Sequence, residues 1–440
     1  MQTLVQHPGP RPPGAPFAPA AVTPPASVPL SFLGAAGVGL CALGLAIWFA
    51  ADNAVAAPTA TGVVSAAHVA MLAFLTTAVL GALHQFAPVV CRRPLRSVAA
   101  ARVTFAGMVA TAWILPTGFA HGPEWLVATG GAVGACTVGL AAWNLSGPLA
   151  TPDNSAIVNG LRLSVTYLVL TVSFGVVYAF DRQAGWFPLL PHRVLAHAHI
   201  GLLGWLGLTY VAVAEKLWPM FLLAHRPRAR AGAWAVGLLA TAVPFLAVGL
   251  LFGVPWLAWP AAVVATTGLG AHVVSLATAV KHRRRPLELL HAYLFVSAAF
   301  LAAGVTLAAV AAAADVDVLL RGRLVAAEVA ALVGWLGLAI VGHAHKIVPF
   351  IGYTALRARG IVHAPGGDGR PLLFADLFDA RVARATLVTG GSGFALVVSG
   401  LVAGNAAVVA AGGGLVAVTG ALATTNLSVR PRRVIREARA

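Results

Sequence analysis

LAHAHIGLLGWLGL, residues 195–208, places two imidazoles one residue apart inside an otherwise apolar run. A histidine in hydrocarbon needs a partner, because the bilayer core offers no water to hydrogen-bond it. The run closes on GWLGL at 204–208, and GWLGL recurs unchanged at 334–338. The repeated signature bears on the architecture, and the paired histidines bear on the chemistry.

Of 440 residues, 59% are hydrophobic and only 10% charged, where soluble domains carry about a quarter charged residues. Apolar runs of about 20 residues, the length that crosses hydrocarbon, recur throughout. An all-α integral membrane protein follows, with about twelve spans near 29–50, 62–90, 99–120, 124–146, 158–180, 194–224, 231–252, 255–280, 287–314, 322–353, 381–403 and 405–428. Residues 1–28, rich in Pro and Ala, read as a disordered tail with no secretory signal. Residues 29–430 form the transmembrane domain and 431–440 a basic cytoplasmic tail. Cys41, Cys91 and Cys136 lack metal-ligand spacing, so neither a disulfide framework nor a zinc site is expected.

The net charge of +16 does not point to nucleic acid, because the arginines cluster in short loops. CRRPLR, HRPRAR, KHRRRP, RARG and RPRRVIREARA follow the even-numbered spans, whereas ADNAVAAPTAT, HGPE, GVP and AGN have no Lys or Arg. Arg182, Arg193, Arg321 and Arg323 are the exceptions. The balance predicts both termini in the cytoplasm, in the inner (cytoplasmic) membrane. His197 and His199 then lie near the outer end of the sixth span.

Counted from the first Gly of GWLGL, Lys216 and Lys346 stand twelve residues on, and Pro219 and Pro349 fifteen on. A weaker copy starts at Ala73, with Gln85 and Pro88 at the same offsets. The copies fall on spans 2, 6 and 10, which predicts three pseudo-repeated units of four helices, about 29–150, 156–285 and 287–430. The glycines and tryptophans of the signature read as packing, since small residues let membrane helices approach closely.

Five residues before the anchor stand His68, His199 and Val329, and seven before it Ala66, His197 and Ala327. His68 and His199 therefore share a register. Two neutral imidazoles facing each other between helices can fill both axial positions of a haem iron, and Ala66, Ala67, Ala70, Gly201 and Gly204 would leave room for the macrocycle. His197 and His199 point roughly 200° apart on a helix, so they suit two sites rather than one. The competing account is a pair of wetted interfacial histidines, with His192 and Arg193 just upstream.

HAHIGLLGW resembles the His-x-His-x-Gly-x-Leu-Gly-Trp segment of subunit I in the haem–copper oxidase superfamily, especially the C-type oxidases and nitric oxide reductases. The resemblance implies twelve core helices in three arcs, cytoplasmic termini, haems near the outer face, and a low-spin haem ligand at His68. It covers the chain in architecture but only short motifs in sequence. In that family the paired histidines stand on the tenth helix, whereas here they fall on the sixth. The family's copper ligands are not all reproduced, since AGAWAVGLLATAVPFLAVGLLF has no His, so the standard copper centre is not expected. HVAMLAF…CRRPL is also similar to the NnrS-like membrane proteins, associated with haem and nitric oxide stress. The resemblance thus implies haem b held by His68 and His199, with His197 available to a second haem or metal. The expected role is electron transfer or handling of nitric oxide or oxygen, with an electron donor or partner subunit. No Cys-x-x-Cys-His exists for covalent haem attachment.

Arg182 and Arg193 flank the outer mouth and suit haem propionates, as Arg binds carboxylates bidentately. Glu328, one position from the histidine register, would carry a proton near the cofactor or pair with Arg323. Eleven residues after the anchor stand His84, Glu215 and His345, with His343 nearby. From His68 to His84 is 16 residues, roughly 24 Å of helix, which puts this set at the cytoplasmic boundary. It would bind a metal or a quinone headgroup, form a proton inlet, or simply snorkel to water beside Gln85, Lys216 and Lys346. His272 and His291 read as hydrogen-bonded inside the bundle. A transporter with internal repeats explains the repeat equally well, and a haem-based sensor or assembly factor is a third class; only the redox and sensor classes need a chromophore.

Overall fold

The computed structural model describes residues 22–224, 230–364 and 369–429. The loop segment 225–229, most of the N-terminal tail and the basic C-terminal tail lie outside the described residues. Among the described residues, twelve helices are long and apolar enough to cross a membrane. They are α1 (Ser27–Ala56), α2 (Thr61–Cys91), α3 (Val98–His121), α4 (Glu124–Leu149), α5 (Ala156–Ala184) and α6 (Pro191–Leu222). The second half comprises α7 (Arg230–Leu251), α8 (Pro255–Lys281), α9 (Leu289–Ala313), α10 (Val318–Arg357), α11 (Ala380–Ala403) and α12 (Ala406–Ser428).

Local chemistry sets many of the ends. Ser97, Ser155, Asp317 and Asn405 each accept a hydrogen bond from a backbone N–H of the helix they precede, satisfying one of its orphan donors. Pro191 and Pro255 begin α6 and α8, where a missing N–H costs nothing. Gly185 and Gly404 end α5 and α11 with φ of 60° and 69°. Helix α1 starts at Ser27, so the expected tail gives up its last two residues to the first span.

Three helices form the interior. In their most apolar stretches, 61% of α2, 67% of α6 and 72% of α10 is buried, against 28–50% for the other nine spans. These three touch one another. The Trp205 indole of α6 donates to Thr76 Oγ1 of α2 at 3.1 Å. Gly207 of α6 abuts the Trp335 ring of α10, and Gly337 of α10 abuts Phe74 of α2. Trp205 and Trp335 are each 1% exposed, as expected for packing groups. The outer helices surround this trio, and α12 lies along α1, closing the bundle.

Two interior helices are not uniformly α-helical. Val69–Thr76 in α2 and Ile200–Gly207 in α6 are π-helical. The two stretches have equal length, and each begins at the residue after a histidine, His68 or His199. Farther along, Arg92 and Leu223 terminate the same two helices with φ of 53° and 48°; they are the only non-glycine residues with positive φ among the described residues. Helix α10 has no π stretch and runs unbroken for 40 residues.

Candidate functional site

The four-residue periodicity of α2 and α6 lets each histidine hydrogen-bond within its own helix. His68 Nδ1 lies 2.8 Å from the Val64 carbonyl, and His199 Nδ1 lies 2.8 Å from that of Leu195. A carbonyl only accepts, so each Nδ1 carries the proton and each Nε2 keeps a lone pair. That tautomer is the one a metal-ligating imidazole uses when it binds through Nε2.

Beyond this shared geometry the two rings face different neighbours. His68 stacks on Phe119 of α3, with centroids 4.8 Å apart. Arg182, at the end of α5, lies 5.5 Å from the centre of the same Phe119 ring and 3.6 Å from the carboxylate of Glu124. His199 instead faces α10, with Nε2 3.6 Å from Glu328 Oε1. Glu328 is 6% exposed, and His199 is the partner it meets where Arg323 was the alternative. The Nε of Arg323 is itself buried without a hydrogen bond.

His197 faces α5. Its ring packs edge-on to Tyr178 at 5.9 Å, and it occupies the space left by the missing side chain of Gly175, where a Cβ would sit 3.2 Å from Cε1. The main chain of Thr171 approaches the ring, and His68 is close enough to act on it electrostatically. His197 Nδ1 is buried and has no hydrogen-bond partner. The two α6 histidines therefore serve opposite sides of the helix, as their spacing predicts.

Arg193 braces the α5–α6 connection. Its guanidinium donates to the Pro188 carbonyl at 2.8 Å and lies over Phe187, while its own carbonyl accepts from the Tyr178 hydroxyl. Arg182 and Arg193 thus border the histidine end of the bundle, each already engaged.

The second expected set is not brought together. Among the described residues, no group of three or more His, Cys, Asp or Glu could hold a metal ion. His84 stacks on Phe32 of α1, and His345 stacks on Tyr293 of α9, each with Nδ1 bonded to the carbonyl four residues back and Nε2 buried without a partner. Glu215 turns to α8, where it meets His272 Nδ1 at 3.3 Å and accepts from Ser275 Oγ at 2.8 Å. Lys346 pairs with Glu288. His291 caps α9, accepting from the Glu288 N–H at 2.9 Å.

Sequence reasoning missed two partnerships, Glu328 with His199 and the Glu215–His272–Ser275 group. His272 and Ser275 are three residues apart, hence on one face of a helix, and that spacing was the available signal. No known family matches the chain, and no curated protein has a similar sequence.

Proposed function

We propose that the chain is a membrane haem b protein on a scaffold like that of haem–copper oxidase subunit I, with four-helix units repeated three times, both termini cytoplasmic and no standard copper centre. The observation that carries this reading is the matched pair His68 and His199. They stand on adjoining helices, each with Nδ1 fixed by a backbone carbonyl and each at the start of a π stretch. π-Helical turns inside α-helices occur frequently at functional sites. The donor set, neutral imidazoles with no thiolate, suits a haem iron.

His68 and one histidine of α6 would hold the haem iron. His199 shares the ring geometry of His68, while His197 is its electrostatic neighbour with an unpartnered buried nitrogen. The α6 histidine left over would serve a second haem or metal. A bound haem would supply one-electron chemistry, and an open haem or metal at the remaining histidine would supply a position for a small gas such as nitric oxide or oxygen. The residues of this chain would orient it: Phe119 stacks against His68, Arg182 beyond it offers a cation to a propionate, and the Glu328 carboxylate beside His199 would carry a proton near the cofactor. An electron donor or partner subunit completes the role.

Optical spectra of the purified protein, oxidised and dithionite-reduced, test the proposal against His68→Ala, His197→Ala and His199→Ala. A low-spin b-type spectrum lost in His68→Ala and in one α6 variant is the expected result, and the α6 variant that loses it identifies the second ligand. A colourless, well-folded protein made with ample haem would overturn the proposal. The transporter reading would then lead, because Glu215, His272 and Ser275 form a buried polar group within the spans, as a transport pathway requires.

A further inference from the structure

Away from the histidine end, a cavity of about 340 Å³ lies between α6, α8 and α9. Its size falls within the roughly 300–1,000 Å³ of small-molecule sites. Tyr210, Trp218, Trp335 and Phe295 line it with aromatic surface. Val273 and Phe295, also in its wall, are 45% and 47% exposed on the outside of the bundle, so the cavity borders the bilayer.

One wall is polar. His272 is 1% exposed and lines the cavity, whereas Glu215, bonded to its Nδ1, does not. The opposite edge of the ring therefore faces the space, and its Nε2 is buried with no hydrogen-bond partner. Ser275 Oγ also donates to Glu215, so the carboxylate takes two donors and His272 carries its proton on Nδ1. Its Nε2 is then a pure acceptor. Trp218 lies in the same wall, its indole beside the Tyr210 side chain. Gly232 of α7 presses on the carboxylate, leaving no room for a Cβ, which would come within 1.9 Å of Oε2.

We propose that this cavity binds the aromatic headgroup of a lipid-borne hydroquinone, with one ring hydroxyl donating to His272 Nε2. A ring hydroxyl can donate to His272 Nε2. A quinone carbonyl can only accept, which would leave His272 Nε2 unpaired. The site therefore favours the reduced form, by about tenfold or more for one buried acceptor left unsatisfied. A phospholipid acyl chain, the competing occupant, would likewise leave His272 Nε2 unpaired. The inference is independent of haem at His68.

The test is equilibrium binding of a decyl-substituted hydroquinone and its oxidised form to the full chain in phosphatidylcholine nanodiscs. Binding is followed anaerobically by tryptophan fluorescence. Saturable binding, about tenfold tighter for the hydroquinone, is expected. His272→Phe should erase the preference, and Ala298→Phe, which fills the cavity without touching its polar wall, should abolish binding of both forms. Equal binding of the two forms, or binding unchanged in both monodisperse variants, would overturn the proposal and leave a lipid-filled cavity. Because the signal does not depend on haem, a colourless protein that passes this test sinks only the haem reading, and a coloured one that fails sinks only this site.

Discussion

Helices α2 and α6 resemble each other in a way that α10 does not share. Both carry an eight-residue π stretch after a ring-pinned histidine, and both end on a left-handed non-glycine residue. Yet GWLGL is common to α6 and α10, not to α2. Sequence identity thus pairs one couple of helices and backbone geometry another. The signature glycines serve contacts that all three helices need, where Gly207 meets Trp335 and Gly337 meets Phe74. The π distortion instead follows the histidines, as expected if the irregular turns serve the site rather than the packing.

The sharpest way to break that comparison is to remove the irregularity. Deleting Leu72 from the π stretch of α2 rotates His68 by about 100° relative to everything beyond it. If His68 holds a haem as proposed, the expected outcome is complete loss of its absorption, with helical content by circular dichroism nearly unchanged. Retained absorption would show that the π geometry is incidental.

A smaller effect probes how α2 and α6 are held together. Trp205→Phe and Thr76→Val each remove one side of the indole–hydroxyl hydrogen bond. Their coupling in a double-mutant cycle, read from thermal unfolding in detergent, should be about 0.5–1.5 kcal/mol. Coupling near zero would mean the two helices are held by packing alone.

The smallest effect compares the far ends of the three helices. Arg92→Gly and Leu223→Gly relieve left-handed strain at exposed positions, a gain of a few tenths to about 1 kcal/mol once the added freedom of the unfolded chain is subtracted. Tyr353 holds the matching register in α10 but is still helical. There glycine should cost about 1 kcal/mol, plus the contact of the ring with Phe374. Shifts in melting temperature of opposite sign would confirm that α10 departs from the other two at this end.

Much of the fold was legible in the sequence because hydrocarbon imposes one requirement on every span. All twelve expected spans match helices to within a few residues. The largest differences are local. Helix α1 runs on to Ala56 through the polar pair Asp52 and Asn53, and α10 begins at Val318 because Asp317 caps it, accepting from Leu320 at 2.8 Å. The site was legible as a register but not as a set of partners. Regular 3.6-residue spacing separates His197 from His199 correctly, and it cannot say that one side meets α5 and the other α10. Nor does it foresee a π stretch, which shifts the face of every residue after it. Glu215 shows the limit most plainly. Its register matches His84 and His345, yet each of the three turns to a different outer helix.

The seam between the first and last helices carries one more consequence. Gly44 and Gly420 let α1 and α12 approach so closely that a Cβ on either would strike the main chain of the other, at Ala417 and Cys41. Of the twelve spans, the one made first therefore pairs with the one made last. Until α12 is inserted, that flank of the bundle stays unsealed, and anything too bulky to pass between finished helices has its widest passage inward during synthesis. Truncating the chain before Ala406 would leave the α1 glycine face against lipid, a substrate for membrane quality control rather than a smaller working protein.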